Sequence, residues 1–452
     1  MKIIIAGSGK VGTTLALRLA QEGHTLTLID KDQQVLEDVC EQCDVIGVQG
    51  NCASMPVLQQ AGIADADLLI AATSMDEVNL LCCTTAHGLN SKLHTIARIR
   101  NPEYTQQIHA LRDVFALSLA VNPELQAARE VERLLRFPGF LARDTFAKGR
   151  TAIVELRVEA DSKLCHLPLF QLNNIVKCKV LVCSVLRDGT AITPRGNFIL
   201  EEGDRIYVTA PTNDLSILLK NLGIVTRKVR KVLICGGGRV SHYLAERLCR
   251  SGISVSLVER NYDRCVQLAS LLPDASVVHG DATDQQLLQS QGLADCDALV
   301  TMTGLDELNM IISLYGSSKG VPQVITKLSR AENRSISDGL ALGSVICPKE
   351  LCCDDIVRYV RAMENQVGSA ISVHSIAGGQ AEAIEFLVDD HTLYQGTPLK
   401  DIKLRNGVLL ASITRGGLTE IANGDSVFHK GNTILVVTSG RGKLGQLNDI
   451  FA

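Results

Sequence analysis

Residues 2–12 read KIIIAGSGKVG, in which an apolar run breaks into a glycine-rich turn and then into a helical pattern. This order predicts a buried strand, a tight turn and a helix that begins at the turn. Residues 231–241, KVLICGGGRVS, repeat the order. TSMDEVN at 73–79 returns as TGLDELN at 303–309 with nearly the same spacing. The chain therefore contains one structural unit twice.

The three glycines of a GxGxxG turn have separate tasks. The first makes the turn, the second lets the backbone approach a diphosphate, and the third allows helix and strand to pack closely. The N-terminus of the following helix offers free N–H groups and a partial positive charge to phosphate. The alternative is a glycine turn with only a structural purpose. In the second copy Ser241 replaces the third glycine, which is expected to loosen or shift that site.

An acidic residue ends the second predicted strand of each copy, Asp30 in the first and Glu259 in the second. In dinucleotide-binding units an acid about 20 residues after the glycines hydrogen-bonds a ribose diol. The same carboxylate would repel a 2′-phosphate. The sequence therefore favours NAD or an adenosine nucleotide over NADP.

Ligands bind beyond the carboxyl ends of the strands in such sheets, so residues that end the other strands are further candidates. The threonines that follow the fourth strands could instead only cap a helix, and Arg98 could form a surface ion pair. The candidates in the first copy are Gly7, Ser8, Gly9, Lys10, Val11, Gly12, Asp30, Gly50, Asn51, Thr73, Ser74 and Arg98. The candidates in the second copy are Gly236, Gly237, Gly238, Arg239, Val240, Glu259, Gly280, Asp281, Thr303 and Lys327.

Acidic pairs also repeat, Asp76-Glu77 in the first copy and Asp306-Glu307 in the second. In the first turn of a helix such acids complement the helix dipole. A cation site there would lack a third ligand, so no metal site is predicted.

Length and charge restrict the class of protein. At 452 residues the chain is too long for one core and should form three or four domains. Its net charge of −4 does not suit nucleic acid as the main partner. No run reaches the roughly 18 apolar residues that cross a bilayer, and the N-terminus does not resemble a signal peptide. A cytoplasmic location is therefore expected, with any membrane role depending on a partner.

The chain has 15 cysteines, many of them within apolar runs where they behave as small hydrophobic residues. A single CxxC pair, Cys40 and Cys43, has no second pair to complete a zinc site. Structural cysteines are favoured over redox or metal chemistry.

Alternating strands and helices predict a doubly wound parallel sheet in each copy. Shorter, strand-rich segments follow each sheet and predict small α+β domains. The predicted domains are residues 1–145, 146–226, 229–365 and 366–452. Amphipathic helical patterns at 124–136 and 351–363 follow a proline, and each could leave its sheet to cross to a neighbour.

The order of domains and these motifs resembles the TrkA family of potassium-uptake regulatory subunits, whose units are RCK domains. GSGKVG at 7–12 with Asp30, GN at 50–51, ATSMDEVN at 72–79 and the second copies carry the resemblance over the whole chain. It implies binding of NAD(H) and of ATP or ADP. It also implies a homotetrameric ring on the membrane pore subunit TrkH, at the cytoplasmic face of the inner membrane. The protein would then be a regulator and not an enzyme.

Two other functions stay open from the residues. An NAD-dependent oxidoreductase would need a proton donor facing the nicotinamide, and the small domains look too short to hold a substrate. A ligand-binding regulator without a membrane partner would have the same glycine turns.

Overall fold

The computed structural model describes residues 1–136, 140–224, 228–330, 340–363, 370–439 and 444–452. Their contacts divide into two units. The first unit is Met1–Arg129 with Cys347–Val360, and the second is Glu130–Ile346 with Arg361–Ala452. Each sheet lies within one unit, so the units are described separately.

The strands are β1 (Lys2–Ala6), β2 (Thr25–Asp30), β3 (Ile46–Gln49), β4 (Leu68–Ala71), β5 (His94–Arg98), β6 (Leu119–Val121), β7 (Ala142–Phe146), β8 (Thr151–Arg157), β9 (Leu181–Arg187), β10 (Thr190–Ile192), β11 (Arg205–Pro211), β12 (Lys231–Cys235), β13 (Ser254–Glu259), β14 (Ser276–His279), β15 (Ala298–Thr301), β16 (Gln323–Lys327), β17 (Ser344–Ile346), β18 (Ala370–Ile376), β19 (Ala381–Leu387), β20 (Val408–Arg415), β21 (Leu418–Ile421) and β22 (Thr433–Ser439).

The α-helices are α1 (Lys10–Gln21), α2 (Gln33–Cys40), α3 (Met55–Gln60), α4 (Asp76–Leu89), α5 (Pro102–Leu111), α6 (Pro123–Arg136), α7 (Leu172–Val176), α8 (Leu215–Leu222), α9 (Arg239–Arg250), α10 (Tyr262–Leu271), α11 (Gln285–Ser290), α12 (Asp306–Ser318) and α13 (Pro348–Met363). Among the described residues, no helix is both long and apolar enough to cross a membrane.

A six-stranded sheet in the order β3-β2-β1-β4-β5-β6 organises the first unit, and every pairing is parallel. Its central strands are continuous apolar runs because helices cover both faces. The order reverses between β1 and β4, which opens a crevice at the carboxyl ends of those strands. The glycine turn and the end of β4 lie at this point.

Helix α13 comes from the second half of the sequence, yet most of it belongs to the first unit. Arg18 of α1 forms an ion pair with Asp354, and Gln126 donates a hydrogen bond to Asp355. The hydroxyl of Tyr359 lies 3.0 Å from Nδ1 of His94. Most of α13 therefore packs in the first unit, although its sequence follows the second parallel sheet. This agrees with the expectation that the amphipathic helix could leave its own sheet.

The second unit contains a parallel sheet with the same topology, in the order β14-β13-β12-β15-β16-β17. It also contains two antiparallel sheets, β10-β9-β11-β8-β7 and β18-β19-β22-β20-β21, which match strand for strand. Residues of both antiparallel sheets share one buried cluster, which includes Phe146, Tyr207, Ile376, Ala383 and Val437. The small sheets therefore pack against each other.

The predicted fold class is confirmed: each doubly wound parallel sheet is followed by a small strand-rich domain. The domain boundaries stay predictions. The boundary between residues 145 and 146 falls within β7, and those at 226, 365 and 366 lie outside the described residues.

All fifteen cysteines are free thiols. Burial raises the pKa of Cys83, Cys235 and Cys353 to about 12, so these thiols stay protonated at neutral pH. Cys40 is exposed. Buried cysteines thus act as apolar core residues, consistent with their place in apolar runs.

Alkylation of the native protein at pH 8 should modify Cys40 well before Cys83 or Cys235. The thiolate is the reactive species, and a thiol of pKa about 12 is ionised in only about one molecule in ten thousand at pH 8. Peptide mass spectrometry after a short iodoacetamide pulse gives the order of labelling. Urea should remove the difference; equal labelling without urea would contradict the burial of these two thiols.

Candidate functional site

The first glycine turn joins β1 to α1. Gly7 has φ +99°, and a Cβ there would lie 2.9 Å from the backbone of Thr73. Gly9 caps α1 with extended backbone and faces open space. A Cβ on Gly12 would lie 1.8 Å from the Gly7 carbonyl oxygen. The three glycines therefore provide a left-handed turn, an open approach to the helix N-terminus, and close packing of helix against turn.

The second turn, between β12 and α9, repeats this backbone. Gly236 also has φ +99°, and Gly238 caps α9 with dihedral angles within a few degrees of those of Gly9. Ser241, in place of the third glycine, is fully buried, and within the described structure its hydroxyl has no hydrogen-bond partner. The turn thus keeps its conformation despite the serine.

The acids at the ends of β2 and β13 bind the glycine turns. Asp30 Oδ2 accepts a hydrogen bond from Ser8 N at 2.6 Å, and Glu259 Oε2 accepts one from Gly237 N at the same distance. The second oxygen of each carboxylate accepts a bond from the backbone two residues on. Each carboxylate oxygen has further acceptor capacity, which a ribose diol could use.

Glycines also follow the third strands. Gly50 N donates to Asp30 O at 2.8 Å, and Gly280 N donates to Glu259 O at 2.9 Å. A Cβ on either glycine would clash with a side chain of the next helix, Val57 or Leu287. Glycine therefore lets that helix pack closely against the end of the strand.

The residues after these glycines fold the loop locally. Asn51 Oδ1 accepts a hydrogen bond from Ala53 N at 3.2 Å. Asp281 Oδ1 accepts bonds from Thr283 N and Oγ1 at 2.9 and 2.8 Å. These bonds lower the pKa of Asp281, so it is charged at neutral pH and stands where the first copy has a neutral amide.

Thr73 and Thr303 bind a buried asparagine that the sequence argument missed. The backbone N and the hydroxyl of Thr73 donate to Asn79 Oδ1 at 2.8 and 2.7 Å. Asn79 Nδ2 donates in turn to Arg98 O at 2.8 Å. Thr303 and Asn309 form the same contacts in the second copy. The asparagine thus joins the ends of the fourth and fifth strands. The only sign of this in the sequence is that asparagine occupies the same position in both copies of the repeat.

Asp76 and Asp306 also bridge segments. The Asp76 carboxylate accepts bonds from Arg100 N and Asn101 N at 2.8 and 2.7 Å. Asp306 binds Ser329 N and Arg330 N in the same way. Both acids are buried. They therefore hold the loop after the fifth strand, in addition to lying in the first turn of a helix.

The predicted cations lie beside the ends of the fourth strands. Arg98 Nη2 donates to Thr73 O at 2.7 Å, and burial lowers the pKa of Arg98. Lys327 Nζ donates to Met302 O at 3.3 Å. Ser74 contributes its carbonyl oxygen to the side chain of Arg100. The cations are thus held at the crevice by backbone oxygens.

The second copy encloses a cleft of about 390 Å³, a volume typical of small-molecule sites. Eight of the predicted residues line it: Gly236, Gly237, Gly238, Glu259, Gly280, Asp281, Thr303 and Lys327. Arg239 is exposed at the start of α9 and Val240 is buried, as Lys10 and Val11 are in the first copy. All four belong to a helix N-terminus, and Arg239 and Val240 do not line the cleft of the second copy.

Two family models match the segments of chain that contain both copies. The model described as the TrkA-N domain matches residues 3–123 and 232–348, and the TrkA-C domain matches 153–223 and 383–451. The chain belongs to the TrkA family. It is 31% identical over 456 residues to the Trk system potassium uptake protein TrkA of Halomonas elongata, covering 100% of this chain and 98% of that protein. The resemblance stated from the motifs is confirmed.

Solved structures of RCK proteins share the fold. The GsuK RCK domain has a TM-score of 0.62 at 18% identity, covering 97% of this chain and 92% of that one. The GsuK channel bound to NAD has a TM-score of 0.61 at 18% identity, covering 97% of this chain and 76% of that one.

Within this TrkA chain the two copies differ beside the glycine turn. Arg264 Nε donates to Gly237 O at 2.8 Å, whereas Val35 holds the equivalent position in α2. A Cβ on Gly237 would lie 2.6 Å from Leu268 Cδ1 and 3.0 Å from Glu259 Oε2, so these two side chains favour glycine where the first copy has Ser8. The second turn therefore carries an additional cation.

Alanine at Gly7 should destabilise the first unit, because it combines a left-handed φ with a clash against Thr73 backbone. We expect a loss of about 2 kcal/mol or more in the free energy of unfolding. Gly9→Ala in the same turn is the matched control, because its Cβ enters open space and its backbone is extended. Urea unfolding followed by hydrogen exchange of β1 measures both. Equal losses for the two variants would contradict the geometry of the turn.

Proposed function

We propose that this chain is the nucleotide-binding regulatory subunit of a potassium-uptake system, with NAD(H) and ATP or ADP as its ligands. Membership of the TrkA family supports the role in potassium uptake. The GsuK channel, which shares the fold, is bound to NAD. In this proposal the chain acts by controlling a membrane pore subunit of the TrkH type and catalyses no reaction.

The duplicated glycine turn is the observation that carries the proposal. In both copies a glycine caps a helix with extended backbone and faces open space. The free N–H groups of that helix end suit a diphosphate. The carboxylate of Asp30 or Glu259 is held beside the turn, where it can accept bonds from a ribose. Arg98 and Lys327 place a cation near the same crevice.

The candidate residues of both copies are proposed to contact different parts of the nucleotide. Glycines and helix N-termini would contact the diphosphate, the acids would contact ribose, and Asn51 or Asp281 would face the adenine side. Ser8, Gly237, Val11 and Val240 would act through the shape of the turn.

We further propose that four chains form a ring at the cytoplasmic face of the inner membrane, each chain with four domains divided as predicted. Nucleotide can shift a ring between closed and open forms only by binding one form more tightly. A shift from mostly closed to mostly open requires roughly 5.5 kcal/mol. Two clefts in each of four chains would need to supply only about 0.7 kcal/mol each. Several weakly selective sites therefore suffice.

Aspartate at Gly9 or Gly238 tests the clefts. Aspartate is a favourable helix N-cap, so folding should persist, while its charge repels the diphosphate. Calorimetry with ADP or NAD should show the stoichiometry per chain fall by one site in each single variant and binding disappear in the double variant. Asparagine at the same positions is the uncharged control, with a smaller loss. Full stoichiometry in the double variant would refute nucleotide binding at the turns.

Regulation needs a separate test, because nucleotide binding alone fits a regulator without a membrane partner. The chain should co-purify with a TrkH-type pore subunit, and ATP and ADP should change potassium flux through the reconstituted complex in opposite directions. Equal affinity of each nucleotide for the free ring and for a complex locked open would exclude this scheme. Turnover of NADH with carbonyl substrates would instead indicate an oxidoreductase.

Arg264 should strengthen phosphate binding in the second cleft only. In a Gly9→Asp background, Arg264→Val installs the residue of the first copy and should weaken ATP binding about twofold to fivefold, as expected for one partly screened charge contact. Arg250→Val, on an exposed arginine of α9, is the matched control and should leave the affinity unchanged. Calorimetry measures both. Unaltered affinity in the Arg264 variant would assign that side chain to the turn alone.

A further inference from the structure

The small antiparallel sheets meet at equivalent positions of the repeat. Strands β7 and β18 correspond, since each precedes a short 3-10 turn, at Ala147–Gly149 and Ala377–Gly379. Asp144 in β7 and His374 in β18 hold the same place before these turns. Their side chains touch, with Asp144 Oδ1 at 2.9 Å from His374 Nδ1. A residue that meets its own counterpart lies on a local twofold axis.

The contact is enclosed on several sides. The Asp144 and His374 side chains are 29% and 15% exposed, so water screens the pair only in part. The Phe146 ring packs edge-on against the imidazole with centroids 4.6 Å apart. The imidazole is thus held against the carboxylate by an aromatic ring that the second sheet lacks at the equivalent Ile376.

A second contact between the two small domains is made by a residue of the second domain and not by its counterpart in the first. Glu385 Oε1 accepts a hydrogen bond from Ala147 N at 3.0 Å, and its other oxygen accepts one from Ser372. The equivalent glutamate of the first sheet, Glu155, is bound instead by Arg205. Arg205 lies opposite Arg157 in the first sheet, and Thr433 lies opposite Leu387 at the same place in the second. The second sheet thus has threonine where the first has this arginine. Glu385 is therefore available to the neighbouring turn, and Glu155 is not.

Pairing of like domains would give poorer contacts at the axis. Two first domains would bring the Asp144 carboxylate against a second Asp144 carboxylate, and the like charges would repel. Two second domains would bring imidazole against imidazole, which repel when both are protonated. The observed pair has a donor and an acceptor whether or not the histidine is charged, because Nδ1–H can donate to the carboxylate in either state.

We propose that Asp144, His374 and Glu385 select the partner of this surface: the first small domain fits the second small domain and is disfavoured against a copy of itself. The occupant of the β7 surface is then the β18 surface of the same chain.

Substitutions at the axis reproduce the like contacts inside the native chain. His374→Asp creates the acid–acid contact, Asp144→His creates the imidazole pair, and the double substitution restores an opposite pair with its polarity reversed. In full-length protein, His374→Asp should lower the unfolding temperature by about 3–5 °C and Asp144→His by less. The double variant should recover more than about half of the loss, because the opposite pair returns while the imidazole no longer faces Phe146; this recovery is the signature of a direct pair.

His391→Asp is the matched control, because it makes the same change at an exposed histidine of the second small domain. It should shift the unfolding temperature by less than about 1 °C. Hydrogen exchange should quicken in β7 and β18 of the single variants and recover in the double variant, while ADP stoichiometry stays constant in all. An unshifted His374→Asp variant, or a double variant as unstable as the two single changes added together, would overturn the proposal.

Discussion

The carboxylate at the end of each second strand holds the glycine turn, and the geometry of each cleft depends on this bond. Asp30 and Glu259 accept charge-assisted bonds from the turn at 2.6 Å, which are stronger than bonds between neutral groups. The backbone oxygens of the same two residues accept from Gly50 and Gly280. One residue per copy thus fixes the end of the first strand, the second strand and the loop after the third. The helix N-terminus stays directed at the crevice because these hydrogen bonds hold the backbone of the turn that precedes it.

The opposite side of the crevice is fixed by buried polar groups in the helix after the fourth strand. Asn79 and Asn309 are fully buried, and their amides bridge the ends of two strands. Asp76 and Asp306 bind the backbone of the loop that follows. A buried polar network stabilises only when its members are paired, so each of these positions tolerates few residue types. The two networks together hold the carboxyl edge of each sheet in place, which under the proposed function would reduce the ordering cost of binding nucleotide.

The parts of this architecture that could be predicted depend on local patterns. Parallel strands covered on both faces read as apolar runs, and glycine turns have fixed spacing, so the two doubly wound sheets follow from the sequence. The helix dipole already explains the acids of the first helical turn from the local sequence. The long-range hydrogen bonds of Asp76 could therefore not be predicted from that pattern. An amphipathic helix such as α13 shows which face is buried and does not show which sheet buries it. Contacts such as Asp144 with His374 depend on packing between domains and leave no periodic signal.

The two copies have diverged in coupled groups of residues. Gly237, Glu259 and Arg264 stand where the first copy has Ser8, Asp30 and Val35, and serine at 237 would crowd both Leu268 and the longer acid. A side chain at 237 therefore requires a shift of Leu268 or Glu259. Asp144 and His374 are coupled in the same way across the axis between the small domains. Two identical copies would bind one ligand with one affinity and could pair in several ways. Divergence at the glycine turn and at the axis makes the two clefts unequal in their residues and, in our proposal, the pairing of the small domains unique. Under the proposed function, unequal clefts would let one chain respond to two nucleotides, each of which must still bind one conformation more tightly than the other.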